Sequence, residues 1–98
     1  MRARYSAYVV RDAPFLLATW HPTTRPEAID FSQDVEWHGL TIEHIEQGGG
    51  LSTAGSVRFR ARFRRGDAHL ELHESSRFVR EGGHWFYVDG VDPDSDAM

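Results

Sequence analysis

Glu74 is the ionisable residue whose position most suggests chemistry. The pattern of residues 69–81 predicts a strand, and alternation from Leu70 and Leu72 turns Glu74, and then Ser76, towards its apolar side. A carboxyl among apolar side chains costs free energy unless it is hydrogen-bonded or paired, and burial without a partner raises its pKa. Such a carboxyl can act as a general acid or base. A bulge just after Glu74 would reverse its direction, so this prediction assumes a regular strand.

Aromatic and polar side chains from the N-terminal part of the chain could meet Glu74. The interpretation we favour is structural, with Glu74 accepting hydrogen bonds from Tyr5, Tyr8, His21 or Arg25 and so anchoring helices to the sheet. One alternative is a pocket that binds a ligand without catalysis. The other is a small enzyme that uses Glu74 as its general acid or base. The candidate ligand-binding residues are Tyr5, Tyr8, Trp20, His21, Arg25, Glu74 and Ser76.

Histidine spacing argues against a metal site. Of the six His residues, His69 and His73 are four apart, which on a helix would place both on one face. On the predicted strand the same offset separates them by roughly 13 Å, so they cannot share an ion. The sequence contains no Cys, which excludes disulfides and thiolate ligands in this chain. We therefore expect scattered surface histidines and no metal or other cofactor.

Four arginines alternate with apolar residues between positions 57 and 64. Arg58, Arg60, Arg62 and Arg64 could follow a phosphate backbone, but they also suit the exposed face of a half-buried strand paired with acids such as Glu43 and Glu71. The net charge is −4, and several acids lie in the last seven residues, so the remaining body is almost neutral. A nucleic-acid-binding domain normally carries a basic excess. Nucleic acid is therefore not the expected partner.

Helical patterns occupy the first third of the chain. Residues 1–11 carry Tyr5, Tyr8 and Val9 on one predicted stripe. Asp12 is the expected N-cap of a second, strongly apolar helix that ends near Pro22. Residues 24–27 have capping-box spacing, which predicts a third short helix over about 25–30.

Strand patterns occupy the rest of the chain. Strands are predicted over residues 37–46, with one possible bulge, 57–64, 69–81 and 84–88, with a loose glycine-rich loop over 48–55 and tight glycine turns before the third and fourth strands. Strands joined by hairpins pair in sequence order. The predicted fold is α+β: two to three N-terminal helices packed in a curved four-stranded antiparallel meander, which together form a cone.

The last strand is apolar on both faces. Trp85 and Tyr87 alternate with Phe86 and Val88, so one face can meet the cone while the other needs cover. We expect a homodimer or an inter-domain contact through the outer sheet face, with Trp85 and Tyr87 as interface candidates.

Three segments, with the end of the last strand, resemble one bacterial family. Residues 4–9 (RYSAYV), 19–26 (TWHPTTRP) and 73–79 (HESSRFV) resemble signature segments of the YchJ-like proteins, and 85–90 (WFYVDG) fits as well. That family contains SEC-C motifs and has no assigned function. The resemblance implies an NTF2-like middle domain without a characterised activity. The function that we expect is a non-catalytic module that binds a small ligand or a protein partner within a SEC-C-type protein. The resemblance also implies a zinc-binding Cys-rich segment ahead of this domain, which is expected in a longer protein and maps onto no residue here.

One domain is expected, over residues 1–91, followed by an acidic tail at 92–98 that we expect to be disordered. No run of 18 or more apolar residues occurs, so no membrane span is predicted. The first residues also lack an apolar signal core, and the expected location is cytoplasmic.

Overall fold

The computed structural model describes residues 1–31, 35–47 and 53–92. It contains two helices followed by four strands. The helices are α1 (Arg2–Val10) and α2 (Ala13–Ala18), and the strands are β1 (Val35–Gln47), β2 (Ala54–Arg65), β3 (Ala68–Glu81) and β4 (His84–Val91). Most of the predicted acidic tail and most of the predicted glycine-rich loop lie outside the described residues, and the last residues of that loop belong to β2.

The two helices form as the sequence predicts. Helix α1 ends at Val10, and the left-handed backbone of the next residue, Arg11 (φ 58°), turns the chain. Asp12 then caps α2, because its side chain accepts a hydrogen bond of 3.1 Å from the backbone N–H of Phe15. The second helix ends at Ala18, earlier than expected, because the segment that follows it pairs with β4.

The third helix predicted over 25–30 is wrong. Residues 22–24 form a turn, and no helix follows within the described residues up to 31. The hydroxyl of Thr24 does not cap a helix, because it donates to the carbonyl oxygen of Val88 and accepts from Nε1 of Trp20. Tertiary contacts with β4 therefore replace the local capping box.

The strands form one antiparallel sheet in the order β1-β2-β3-β4, which confirms the predicted meander. Each strand pairs with the next one along the chain, and the turn before β4 uses Gly82 and Gly83, both at positive φ. Strand β1 has two register shifts, one more than expected, next to His38 and Glu43. A further shift lies between β3 and β4, next to Val88. Such bulges increase twist and bend a sheet.

The sheet has an inner face, which contacts the helices, and an outer face. Trp37 of β1 meets the rings of Tyr5 and Tyr8, which fixes α1 over the inner face. The buried apolar side chains are few: Ala7, Leu16, Phe59 and Ala61. Val9 is 48% exposed, so the predicted stripe on α1 is displaced, and the buried positions of that helix are Arg4 and Ala7.

No helix in the described part of the chain is both long and apolar enough to span a membrane.

Candidate functional site

Glu74 lies on the inner face, as the alternation predicts. In the β2–β3 register it stands opposite Phe59, and the neighbouring inner pairs are Ala61 with Leu72 and Val57 with Ser76. The carboxyl is half-buried, while Ser76 is completely buried. Regular pairing through this stretch of β3 holds the carboxyl inward, because no register shift interrupts it on the β2 side.

The Glu74 carboxyl is only weakly bonded. The hydroxyl of Ser76 donates to its Oε2 atom over 3.5 Å, a long hydrogen bond. Burial raises the pKa of Glu74. The Ser76 bond and the charge of Arg4 act in the opposite direction, and the charge of Asp89 adds to the rise in that pKa.

Gly90 provides the space that the Glu74 carboxyl occupies. A Cβ atom at position 90 would lie 2.1 Å from Oε1 and 2.2 Å from Cδ of Glu74. Gly90 of β4 pairs with Ser76 of β3, so a side chain at position 90 would point to the inner face, as Ser76 does. The absence of a side chain at Gly90 therefore determines where the carboxyl can lie.

Arg4 is the residue of this site that sequence reasoning missed. Its side chain is 6% exposed, and its guanidinium carbon lies 3.8 Å from the ring centroid of Tyr87 and 4.5 Å from that of Trp20. The ring of Tyr8 is 5.7 Å away. Burial lowers the pKa of Arg4, while Tyr8, Tyr87 and Glu74 oppose that change. The sequence does contain a signal for this burial: Arg4, Ala7 and Tyr8 have i, i+3, i+4 spacing and so share one face of α1. The small side chain of Ala7 lets that face approach the sheet closely.

Arg4 and Tyr87 together line two of the cavities on the inner face. The larger has a volume of about 320 Å³, and the smaller of about 260 Å³. Glu74 and Ser76 line the smaller cavity, together with Tyr5 and Tyr8. The larger cavity is lined by Met1, Arg4, Thr19, Ile45, Gly55, Ser56, Val57, Phe78, Trp85 and Tyr87. The Glu74 carboxyl therefore faces space and is not sealed against the helices.

Tyr87 connects the cavities to the N-terminal segment. Its ring packs edge-on against Trp20, with centroids 4.9 Å apart, and its backbone bonds Thr19 and His21. Burial, followed by the charge of Glu74, raises the pKa of Tyr87 to about 12. The phenol is consequently neutral, and it can donate or accept a hydrogen bond.

His21 and Arg25 do not reach Glu74. The His21 ring bonds Glu81 at Nε2 and Thr23 at Nδ1, each at 2.7 Å. Arg25 donates from Nε to the backbone oxygen of Trp20. The anchoring bonds expected from these two residues to Glu74 are therefore absent, and both residues instead secure the segment that follows α2.

The side chains of Trp85 and Tyr87 lie on the inner face, where both line the larger cavity. This placement differs from the one expected for outer-face contacts. The residues of β4 that alternate with them, Phe86 and Val88, are half-buried, and Phe86 packs against His21. A contact through the outer face would use these two residues, and the oligomeric state stays a prediction.

Arg60 and Arg64 of β2 pair with acids on the outer face, as predicted. Arg60 bonds Glu43 at 2.7 Å and Glu71 at 2.6 Å. Arg64 bonds Glu36. The guanidinium groups in these ion pairs are therefore less available to bind phosphate.

Within residues 1–31, 35–47 and 53–92, the side chains do not form a zinc site. The sequence has no Cys, and the described residues contain no group of three or more His, Asp or Glu placed to hold an ion. His73 instead bonds Glu43 over 2.7 Å.

Residues 1–90 match the family model described as YchJ, middle NTF2-like domain. The chain belongs to this family. The helix pair and open four-stranded sheet described above are its NTF2-like fold, and the family expected from the sequence segments is confirmed.

Relatives of this YchJ middle domain are longer than the chain. A UPF0225 protein from Chromobacterium violaceum is 47% identical in an alignment 94 positions long, which covers 93% of this chain and 70% of the relative. A UPF0225 protein from Streptomyces avermitilis is 50% identical over 90 residues, or 92% of this chain and 61% of the relative. The chain thus spans between 61% and 70% of these two relatives. Their names specify neither activity nor ligand.

A solved structure supports the fold independently. The solution structure of a SEC-C motif containing protein from Rhodopseudomonas palustris superposes with a TM-score of 0.82 at 29% identity. The match covers 94% of this chain and 74% of that protein.

Proposed function

We propose that this NTF2-like domain is a non-catalytic module that binds a small ligand in the larger of the two cavities lined by Arg4 and Tyr87, as part of a longer SEC-C-type protein. The observation that carries the proposal is the cavity of about 320 Å³, which reaches the lower end of the range for small-molecule sites, about 300 Å³. Ile45 and Trp85 line this cavity and are exposed, so the cavity is open to solvent on their side.

The wall of this cavity has the character of a ligand site. Aromatic and aliphatic side chains predominate, and Arg4 and Tyr87 supply a small number of polar atoms. The larger context is supported by the length of the relatives and by the SEC-C motif of the R. palustris protein. A contact with another segment or with a second copy through the outer face of β4 is part of the same proposal.

Cavity filling tests the proposal. A library of small fragments, screened by ¹H–¹⁵N NMR, is expected to shift the amide resonances of Thr19 and Ser56, which line the cavity. Val57→Phe adds volume to the wall and is expected to abolish those shifts. Arg58→Phe is the matched control, because Arg58 is the next residue of β2 and is exposed. Binding that survives Val57→Phe, or a library with no fragment that shifts these resonances, would contradict the proposal.

The second candidate is a small enzyme that uses Glu74 as general acid or base. The observation in its favour is a carboxyl with a raised pKa that lines a cavity beside Ser76 and Tyr87. Substrates with an acidic C–H bond are expected to exchange deuterium from D₂O, and Glu74→Gln to abolish that exchange. Exchange that is unaffected by Glu74→Gln would exclude Glu74 as the catalytic group.

A further inference from the structure

Arg4 has an incomplete hydrogen-bond shell. A guanidinium carries five N–H donors and remains charged in proteins. Stacking against Tyr87 and Trp20 compensates part of the cost of burying that charge. Yet Nη1 is fully buried and has no hydrogen-bond acceptor within the described residues. A buried donor of this kind favours an additional acceptor.

The larger cavity offers no anion to Arg4. Arg4 is the one charged side chain among the described residues of its wall, which also includes Met1 with its α-amino group. Glu74 lines the smaller cavity instead. A ligand in the larger cavity therefore meets the Arg4 guanidinium and the α-amino group of Met1 among mostly apolar side chains.

We propose that the larger cavity binds a small monocarboxylic acid with an apolar body, whose carboxylate accepts hydrogen bonds from Arg4 while its body packs against Val57, Phe78 and Trp85. This inference rests on the proposed function, because it names the ligand class of the same site. A planar carboxylate matches the fork of a guanidinium. Inorganic phosphate, in contrast, has no apolar body to pack against these side chains.

Matched ligands test the charge preference in the unmodified protein. The probes are carboxylates from acetate to 3-phenylpropionate, the corresponding primary amides, and inorganic phosphate, each titrated by ¹H–¹⁵N NMR. The arylalkyl acids are expected to shift the resonances of Thr19, Ser56 and Trp85 and to bind at least about tenfold more tightly than their amides, as expected for a charge-assisted bond. Phosphate is expected to leave these resonances in place.

The outcomes separate this inference from the proposed function. Equal binding of acids and amides at the cavity would overturn the carboxylate preference and leave a ligand-binding cavity. The same conclusion follows if phosphate binds there as tightly as the arylalkyl acids. Shifts confined to outer-face residues such as Arg60 and Arg62 would overturn the inference as a surface effect. If no probe of either class shifts the cavity resonances, both the inference and the proposed site fail.

Substitution of Arg4 provides a second measurement. Arg4→Met preserves much of the side-chain volume, and it is expected to reduce the preference for acid over amide to about one while amide affinity is retained. Arg4→Lys keeps the charge without the fork and is expected to give an intermediate preference. Arg58→Met is the exposed control and is expected to leave the preference unchanged. A variant that loses its fold by circular dichroism is set aside, and the acid-to-amide ratio of the unmodified protein then decides.

Discussion

At the scale of single residues, Gly90 and Glu74 are complementary in shape across β3 and β4. The carboxyl lies where the smallest side chain at position 90 would have to go. The position of the carboxyl therefore depends on the absence of a Cβ atom at Gly90 as well as on the long hydrogen bond from Ser76.

Gly90→Ala is expected to destabilise the protein by about 1 kcal/mol, a cost at the lower end for overpacking, because the Glu74 carboxyl can move into its cavity. Urea denaturation measures the loss. Gly39→Ala is the control, because its Cβ would meet only the guanidinium end of exposed Arg62, and it should cost less than about 0.5 kcal/mol. In the double variant Gly90→Ala with Glu74→Ala the cost of the added methyl should largely disappear. Equal losses for both glycines would contradict the close contact.

Glu74 also makes the stability depend on pH. Its pKa is higher in the folded protein than the ordinary value of 4.5, so the folded state binds the proton more tightly and loses stability as the pH rises through the folded pKa. Glu74→Gln is therefore expected to stabilise the protein at pH 7, with an advantage that disappears as the pH falls below 4.5.

Denaturation curves at several pH values measure this dependence, and Asp89 provides a control of opposite sign. Arg77 lowers the pKa of Asp89, so Asp89→Asn should be unfavourable at neutral pH and become neutral in acid. A Glu74→Gln advantage that grows on acidification would show that the carboxyl is stabilised as an anion.

At the scale of elements, the segment after α2 behaves as a short extension of the sheet. Trp20 forms a parallel bridge with Tyr87, and backbone bonds join Thr19 and His21 to the same residue. The hydroxyl of Thr24 joins the end of the segment to Trp20 and to β4 through its two hydrogen bonds. This attachment holds the Trp20 ring against Arg4 and thereby completes the aromatic surroundings of the guanidinium.

Thr24→Val is expected to cost about 1–2 kcal/mol, because the indole N–H of Trp20 and the carbonyl of Val88 both lose their partner. Thermal unfolding followed by tryptophan fluorescence measures the loss. Thr24→Ser keeps the hydroxyl and should remain close to the unmodified protein. If valine and serine have equal effects, the hydroxyl bonds do not hold this segment.

At the scale of the whole molecule, the fold rests on a narrow core. Phe59 occupies the middle of the sheet, between Ile42 of β1 and Glu74 of β3, and is 2% exposed. Other large apolar residues of the inner face are open to solvent, such as Leu70 at 43% and Ile45 at 60%. A small number of side chains therefore accounts for most of the buried apolar surface among the described residues.

Phe59→Ala is expected to cost about 3–5 kcal/mol, the usual range for an aromatic core truncation. Small domains have a free energy of unfolding of about 5–15 kcal/mol, so this single change removes a large part of it. Leu70→Ala is the comparison and should cost less than about 1 kcal/mol, because the side chain is already exposed. Similar losses for the two variants, measured by urea denaturation, would show that the core is more widely distributed.

Local sequence patterns were sufficient for most of the architecture. Asp12 predicted the start of α2, and the alternation in β2 predicted both its buried residues and its arginine pairs. These signals are local, because a cap is set within one turn and a strand face by a period of two. The same alternation was enough to direct Glu74 inward.

Only the tertiary structure decided what surrounds Glu74 and which residue dominates the cavities. From the sequence alone, an Arg is expected at the surface, because burying its charge is costly. The aromatic rings that make burial of Arg4 possible come from α1, β4 and the segment after α2, which are brought together only by folding. Likewise, the false helix over 25–30 satisfied every local rule, and the bond from Thr24 to β4 overrode them. Spacing along the chain thus determined the faces of helices and strands, whereas contacts between residues far apart in sequence determined the site.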